Sequence, residues 1–328
     1  MRNKTPKMGI QRRVIISIFT VSILPLMVGL FLTYRDGTTT RRNSIGTSFK
    51  EIAKETADKI DLIINKEVAD VQRLAITPDI RRAVFHSGYN SDELNDYLGQ
   101  LVNYNEKEIY SLTVVDTNGI YITGVGTTSK RNYSNEKWFI ESFNNGRGKV
   151  YVGNLKHDKV SEQHIISIAA PVMDKDKAMG VVVIKYNVDN LLEVITNVRI
   201  ENTGHANLVD SSGTIIMCPI FPPRSHQINP GLVNIIKSQK PGWGVAEDDA
   251  HGGENSIIGY APVNSSLNTN NGWLDGYTWH IFIRQSPDET YAPIYSLVIR
   301  ISIFGSALII LLSIAGTYAA RKIVRPIN

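Results

Sequence analysis

Two long apolar runs without charged residues, at residues 14–34 and 301–320, bracket the polar middle of the chain. Each run is long enough to cross a hydrocarbon core of roughly 30 Å as a helix rising about 1.5 Å per residue. Pro25 lies inside the first run and is tolerated, since neighbouring groups in a membrane helix can satisfy the backbone that it frees. The pattern predicts two transmembrane helices, at residues 14–34 and 299–320.

The distribution of basic residues orients these two helices. The first run is longer than the apolar core of a signal peptide, and no small-residue cleavage site follows it, so we expect an uncleaved anchor. Basic residues precede the first run and follow the second, which predicts that residues 1–13 and 321–328 are cytoplasmic and that the middle of the chain is extracytoplasmic. Arg35, Arg41 and Arg42 lie on the outer side and reduce this bias.

A long amphipathic helix is predicted directly after the first run. Apolar side chains recur three or four positions apart from Ile45 through Phe49, Ile60 and Ile64 to Val71, and residues 47–77 contain no Pro or Gly. Such a helix can pack on its own domain or form a dimer stalk, and the pattern favours neither. A second, shorter helix is predicted at residues 91–103, so that residues 35–105 form a helical segment.

Strand patterns begin near residue 110 and occur twice. Residues 112–116 and 120–122 flank Asn118-Gly119, a tight-turn pair, and predict a hairpin. Residues 206–210 and 214–216 repeat this order roughly ninety residues later, a domain-sized period. Two further landmarks recur in the same order, Ala-Pro-Val at 170–172 and 261–263 and a strand at 181–185 and 279–284. We therefore predict an α+β fold with two antiparallel modules, residues 106–200 and 201–290.

The two predicted modules differ between the hairpin and the later strands. The first has a helix-like aromatic insert at residues 134–143, which includes Trp138 and Phe139, whereas the second has a Pro-rich loop with Pro219, Pro222 and Pro223. A ligand pocket is mostly apolar with a few placed polar groups. We therefore expect the first module to hold the ligand.

The order of these features resembles that of a double Cache receptor, in which two PAS-like modules follow a long helix. The resemblance covers residues 38–285 and depends on Tyr133-Ser134 before Trp138-Phe139, on residues 165–172, and on Gly180 with the valines after it. Residues 320–327, Ala-Arg-Lys-Ile-Val-Arg-Pro-Ile, are similar to the opening of a HAMP linker. The resemblance implies a HAMP-coupled output module, which we expect to be missing from this sequence.

The resemblance also suggests the ligand-binding residues. Family members that bind amino acids have an Arg two positions before the Trp and an Asp in the last distal strand, but here these positions are Glu136 and Lys185. Asp158 matches another acidic ligand position of the family. We therefore expect a small organic anion.

The candidate ligand-binding residues are Tyr121, Arg131, Tyr133, Trp138, Phe139, Lys156, Asp158 and Lys185. Core packing is an equal alternative for Trp138, and solvent exposure is an alternative for Arg131 and Lys156.

Composition and motifs exclude several other functions. The net charge of +4 is spread along the chain, so we expect no nucleic-acid surface. The motifs of nucleophile elbows, zinc peptidases and phosphate-binding loops are absent, so we expect no catalytic residue. No two of the seven histidines have helical spacing, so we treat them as surface or packing residues and expect neither a metal site nor a cofactor. Cys218, the single cysteine, is expected to be a buried small hydrophobe.

Together these observations predict a sensor in the bacterial cytoplasmic membrane that binds a small extracellular molecule. As the resemblance implies, we expect a homodimer that signals to cytoplasmic proteins through a histidine kinase, chemotaxis or cyclic-dinucleotide module. The main alternative is an extracytoplasmic module that binds a partner protein, which would present a large exposed apolar patch. A membrane-anchored enzyme is a third hypothesis, and it would show convergent groups with strongly shifted pKa values.

Overall fold

The computed structural model describes residues 10–86, 92–104, 108–126, 131–158, 163–267 and 273–324. The long helix predicted after the first apolar run is confirmed, and so is the shorter helix that follows it. The helices of the described residues are α1 (Ile10–Ala75), α2 (Pro78–Phe85), α3 (Asp92–Tyr104), α4 (Lys137–Phe143), α5 (Asp189–Thr196), α6 (Pro230–Ile236) and α7 (Pro287–Val324).

Two six-stranded antiparallel sheets follow one another along the chain. The first has the order β2-β1-β6-β5-β3, with β4 also paired to β5, and the second has the order β10-β11-β12-β8-β7, with β9 also paired to β8. The strands of the first sheet are β1 (Ile109–Asp116), β2 (Tyr121–Val125), β3 (Tyr151–Val152), β4 (Lys156–Asp158), β5 (Gln163–Asp174) and β6 (Lys177–Asn187). Those of the second are β7 (Arg199–Ile200), β8 (Gly204–Asp210), β9 (Ile215–Met217), β10 (Gly242–Ala246), β11 (Ser256–Pro262) and β12 (Trp279–Arg284).

Both sheets contain the same Asp-led turn, after β1 in the first sheet and after β8 in the second. The Asp116 carboxylate accepts hydrogen bonds from the backbone N–H groups of Asn118 and Ile120, each at 2.8 Å. The Asp210 carboxylate accepts equivalent bonds from Ser212 at 2.9 Å and Thr214 at 3.0 Å. An Asp side chain that caps the backbone two residues ahead stabilises a tight turn. The repeat that the sequence predicts is therefore a repeat of local structure.

The second module also contains a helix where the sequence predicts only a Pro-rich loop, so that prediction is incomplete. Helix α6 follows the prolines, and the Asn229 side chain caps it by accepting a hydrogen bond from the Leu232 N–H at 2.8 Å. Pro230 occupies the first turn, where its missing N–H costs nothing. Leu232 and Ile236 are buried against the second sheet. The two modules therefore share a helix-covered sheet face, but only the first has aromatic residues in that helix.

Residues 46–286 form one compact unit, and within it α1 supports both sheets. The Asp61 carboxylate accepts hydrogen bonds from the N–H groups of Asn264 at 2.8 Å and Ser265 at 2.7 Å. The Tyr186 hydroxyl donates to the Glu67 carbonyl at 3.5 Å. Because one helix contacts the end of β6 and the loop after β11, it fixes both modules to a common support.

Residues 1–45 and 287–328 form a second compact unit. Among the residues that the structure describes, one helical segment, Pro287–Tyr318, is long and apolar enough to cross a membrane. It covers residues 299–318 of the predicted second span, residues 299–320. The predicted first span, residues 14–34, lies in α1, and some of its side chains are outside the described set. That this segment crosses a bilayer stays a prediction. Residues 325–327 of the HAMP-like segment lie outside the described residues.

Candidate functional site

An aromatic cluster covers one face of the first sheet. The buried residues Val115, Ala169, Val181 and Val183 come from β1, β5 and β6, and α4 packs over them. The aromatic members of the cluster are Tyr133, Trp138, Phe139, Phe143 and Tyr151. Helix α4 ends at Asn144, whose left-handed φ of 48° breaks the helix after two turns. The aromatic insert predicted from sequence is therefore a short helix that closes one side of the sheet.

The aromatic rings pack in defined geometries. Trp138 lies 5.5 Å from Tyr133 between ring centroids, tilted by 49°, and meets Phe139 edge-on at 6.2 Å. Phe139 in turn stacks on Phe143 at 5.4 Å. Trp138 and Phe139 are each 6% exposed, so both belong to the core of the module. A Trp in such a cluster lines a pocket when a ligand lies between the helix and the sheet.

Polar groups continue this sheet face beyond the aromatic cluster. Lys185 pairs with Ser111 on one side and Ser167 on the other, and it follows Val183 by two positions. Side chains two apart point to the same face of a strand, so Lys185 shares the face that α4 covers. Lys185 is half-buried, and Ser111 and Thr113 are buried beside it. Apolar and hydrogen-bonding groups therefore lie next to one another on this face.

The remaining predicted ligand residues lie at different depths. Tyr121 pairs with Val115, which puts it on the same face, and its hydroxyl donates to the Gly124 carbonyl at 3.2 Å. Arg131 is exposed, and its carbonyl accepts from the Tyr121 N–H at 3.0 Å. Lys156 in β4 is exposed. Asp158 ends β4, and its side chain lies outside the described set. The structure thus brings Tyr121, Tyr133, Trp138, Phe139 and Lys185 to one face and leaves Arg131 and Lys156 in solvent.

Asp275 joins this site to the second module. Its carboxylate accepts from the Tyr151 hydroxyl at 2.6 Å, lies 3.0 Å from the Lys137 ammonium at the start of α4, and accepts from the Asn154 N–H at 3.3 Å. The Trp279 indole donates to the Asn154 side chain at 3.2 Å. Burial raises the pKa of Asp275, but the bonds from Tyr151 and Lys137 together outweigh it and hold the pKa below its usual value. Asp275 is therefore an ionised partner of the aromatic cluster and of α4, and Trp279 of β12 reaches the same loop through Asn154.

The second module has a cavity of about 580 Å³ beside its own sheet. His205, Phe221, His251 and Arg284 are among its lining residues. Arg284 pairs with His205 across β12 and β8, as Lys185 pairs with Ser111 across β6 and β1. Lys185 and Arg284 are therefore cations at equivalent strand positions in the two modules. Arg284, in the second module, lines a cavity.

Sequence reasoning missed the histidines of this second cavity. The rings of His205 and His251 meet edge-on at 4.7 Å between centroids, and the Cys218 sulfur lies 3.4 Å from the His251 Nε2. Burial lowers the pKa of His205 to about 4 and also lowers the pKa of His251. The two histidines are 46 positions apart, so no spacing rule could have paired them. Cys218 is buried, as expected, but it has polar neighbours.

Comparison with known proteins identifies a family and a shared fold. A sequence profile of the Cache domain family, dCache_1, matches residues 37–294. The chain is 20% identical over 218 residues to the methyl-accepting chemotaxis protein McpB of Bacillus subtilis (strain 168), a match that covers 65% of this chain and 32% of that protein. It is 28% identical over 155 residues to the methyl-accepting chemotaxis protein McpA of Pseudomonas putida, with 46% and 22% covered. The chain thus spans about a third or less of each relative.

Solved structures show the same fold at low identity. The ligand-binding domain of the Pseudomonas aeruginosa PAO1 amino acid chemoreceptor PctB, in complex with L-Arg, superimposes with a TM-score of 0.56 and 18% identity, covering 76% of this chain and 98% of that one. The ligand-binding domain of the Pseudomonas fluorescens chemoreceptor CtaA, in complex with L-serine, gives a TM-score of 0.53 and 16% identity, covering 75% and 99%. The common feature of these structures and this chain is the architecture.

Proposed function

The chain belongs to the Cache domain family, and on that basis we propose that it is the sensory part of a transmembrane receptor that binds a small extracellular molecule in its first module. The observation that carries this proposal is the mixed face of the first sheet. Trp138 and Tyr133 contribute apolar surface there, and Lys185, Ser111 and Thr113 contribute polar groups within the same covered face. Ligand sites in proteins combine an apolar lining with a few such placed polar groups.

The proposed ligand is a small organic anion. Lys185 stands where the amino-acid-binding members of the family have an ammonium-binding Asp, so the charge at this position favours a carboxylate over an amine. A charge-assisted hydrogen bond from a half-buried ammonium is stronger than one between neutral groups. The exposed cations Arg131 and Lys156 would contribute through long-range attraction alone, which salt screens.

The proposed route of the signal begins at α4. A ligand held between α4 and the sheet would move the start of that helix, where Lys137 pairs with Asp275 of the second module. The last strand of that module, β12, is followed directly in the chain by α7. We propose that α7 and the predicted first span cross the cytoplasmic membrane, and that a homodimer signals through a HAMP linker to a kinase or chemotaxis pathway. The chemotaxis proteins among the relatives support this output.

Ligand-dependent thermal unfolding of the full chain in nanodiscs tests the binding proposal. A molecule that binds only the native state at a hundred times its Kd stabilises it by about 2.7 kcal/mol, which raises the melting temperature by roughly 5–10 °C. We expect this shift with one or more small carboxylates. Lys185→Gln should weaken the binding roughly 10- to 100-fold, the loss expected for a hydrogen bond to a charged group.

Two control variants locate the site. Lys177→Gln removes an exposed charge from the same strand and should leave the shift unchanged. Trp138→Phe keeps the core filled but changes the pocket wall, and it should weaken binding. Selective binding of amines or amino acids, with carboxylates inert, would refute the proposed ligand class. A shift that survives Lys185→Gln and Trp138→Phe but is lost in Phe221→Ala, a change in the wall of the second cavity, would place the pocket in the second module.

A further inference from the structure

A cluster of three metal-binding side chains lies in the second module, away from the proposed ligand site. His205 comes from β8, Cys218 follows β9, and His251 lies in the loop before β11. One ligand atom from each residue lies within 4.8 Å of the other two. The two Nε2 atoms are 3.3 Å apart, and the sulfur is 3.4 Å from the Nε2 of His251. The three side chains therefore converge on one point.

The hydrogen bonds made by the two imidazole rings leave a lone pair on the Nε2 atom of each, and these two atoms face each other. The Nδ1 of His205 lies 2.9 Å from the Thr203 carbonyl, and the Nδ1 of His251 lies 3.2 Å from the Asp249 carbonyl. A carbonyl oxygen only accepts, so each Nδ1 must carry the proton and each Nε2 of a neutral ring presents a lone pair. The Cys218 thiol has one proton and can satisfy only one of these two acceptors. A cation between the three atoms satisfies all of them.

Two of the three separations between the ligand atoms match those of a tetrahedral metal site. Zinc binds imidazole nitrogen at about 2.0–2.1 Å and thiolate sulfur at about 2.3 Å, so tetrahedral angles give N···N and N···S separations of roughly 3.3–3.6 Å. The observed separations are 3.3 and 3.4 Å. The Nε2 atom of His251 therefore already lies at suitable distances from the other two ligand atoms, which lie within 4.8 Å of each other.

The surroundings of the cluster fix the two imidazoles and place a backbone donor at the sulfur. The N–H of Ile220 donates to the Cys218 sulfur at 3.3 Å. The Asp249 carbonyl orients the ring of His251. The Asp249 carboxylate forms a buried ion pair with Arg284, which holds the residue in place. Partners that fix the outer nitrogen of a ligand histidine are typical of metal sites and raise metal affinity.

We propose that His205, Cys218 and His251 form a binding site for a d¹⁰ thiophilic cation, with zinc as its representative. Imidazole and thiolate together favour zinc or copper(I) over magnesium or calcium. Both histidines line the cavity of about 580 Å³, so the fourth coordination position faces open space and can hold water or a second ligand. Binding breaks the S–H bond of Cys218, forms a metal–sulfur bond and releases one proton to solvent.

Metal titration of the full chain tests this proposal. The protein in nanodiscs is freed of metal with a chelator and titrated with Zn²⁺ against a chromogenic competitor, and we expect one tight ion per chain. Titration with Co²⁺ should produce a sulfur-to-cobalt charge-transfer band. Because Cys218 is the single cysteine of the sequence, such a band can come from no other residue.

Variants separate this site from adventitious binding. Cys218→Ser and His251→Gln should each weaken zinc binding by at least about 100-fold, since loss of a direct ligand costs no less than loss of its hydrogen-bonding partner. His157→Gln alters a different histidine pair, with ring centroids 5.0 Å apart in the first module, and should leave the affinity unchanged. Melting curves without metal check that each variant folds.

Two results would overturn the proposal. The first is the absence of a sulfur-to-cobalt band in the wild-type chain, a measurement that does not depend on how any variant folds. The second is zinc binding of equal strength in the wild type and in folded Cys218→Ser or His251→Gln, which would assign the ion to the surface.

Discussion

At the scale of single residues, buried charges depend on partners that lie far away in the sequence. Asp249 is fully buried, and its carboxylate accepts from Arg284 Nε at 2.9 Å and from the Ser256 hydroxyl at 2.7 Å. Breaking such a pair leaves an uncompensated buried charge, which costs more than the pair itself contributes. The stability of the second module should therefore be sensitive to this one carboxylate.

We predict that Asp249→Asn destabilises the protein by about 3–5 kcal/mol, because the change leaves the Arg284 guanidinium buried without a counter-ion. At a few degrees per kcal/mol for a domain of this size, the melting temperature should fall by roughly 10 °C. Asp248→Asn is the matched control, since Asp248 is the exposed neighbour, and it should change stability by less than about 0.5 kcal/mol. Equal melting temperatures for the two variants would contradict the prediction.

The same carboxylate predicts a pH dependence. Burial raises the pKa of Asp249, but the bonds from Ser256 and Arg284 together outweigh it and hold the pKa below its usual value. Because the folded pKa is lowered, the stabilisation is complete above the unfolded value of about 3.9 and is lost as the pH falls through the folded pKa. The difference in melting temperature between wild type and Asp249→Asn should therefore be largest near neutral pH and shrink in acid.

The sequence analysis succeeded for residues whose partners are local. Asp116 and Asp210 cap turns four residues long, and Trp138 lies close to Tyr133 and Phe139 in the chain, so the hairpins and the aromatic cluster could be predicted. The bond from Tyr151 to Asp275 joins residues 124 positions apart. The convergence of the histidines on Cys218 likewise depends on tertiary structure, which a single sequence does not specify.

At the scale of elements, α1 lies unusually close to the second sheet at Gly259. A Cβ added to Gly259 would stand 2.2 Å from the Phe49 carbonyl carbon and 2.4 Å from the Lys50 nitrogen, both atoms of the helix backbone. The sequence pattern here supplies only the Ala-Pro-Val landmark at 261–263, and it does not reveal that a helix crosses β11. Glycine within a strand often marks such a close backbone approach.

Gly259→Ala should therefore destabilise the protein, by about 1–3 kcal/mol, because the added methyl group forces the helix and the strand apart. Gly244→Ala is the matched control in the adjacent strand β10, where the added Cβ would meet only the Ile235 Cγ2 methyl group at 3.3 Å. The control should lose less stability than Gly259→Ala in thermal unfolding. An unchanged melting temperature for Gly259→Ala would mean that α1 does not pack on β11 as closely as described.

The missed helix α6 illustrates the limit of element prediction from sequence. Three prolines at positions 219, 222 and 223 indicate a loop, and the short helix begins only after them. Asn229 followed by Pro230 is a sequence signal for a helix start that could have revealed it. At seven residues, α6 is too short to show a clear apolar period. Its burial against the sheet depends on packing that a local pattern does not report.

At the scale of the whole molecule, signalling requires that ligand binding favour one of two states of the receptor. The second module ends with β12, and α7 begins at Pro287, three residues after Arg284. A short connection of this kind can pass a small sliding or rotation into a membrane helix. The connection between β12 and α7 is therefore the place where the proposed signal can be interrupted without touching the ligand site.

We predict that inserting two glycines between Asp288 and Glu289, in the first turn of α7 directly after this connection, uncouples binding from output. The test uses a hybrid in which Asn328 is joined to the HAMP and kinase-control region of a chemoreceptor. The ligand-dependent rise in melting temperature should be unchanged, since the insertion lies outside residues 46–286, while the output response falls to its unliganded level. A matched insertion between Lys175 and Asp176, in the turn that joins β5 to β6, should leave both binding and output intact. If the Asp288 insertion leaves signalling unchanged, a rigid connection through α7 is excluded, and ligand-controlled assembly of the dimer becomes the mechanism to test.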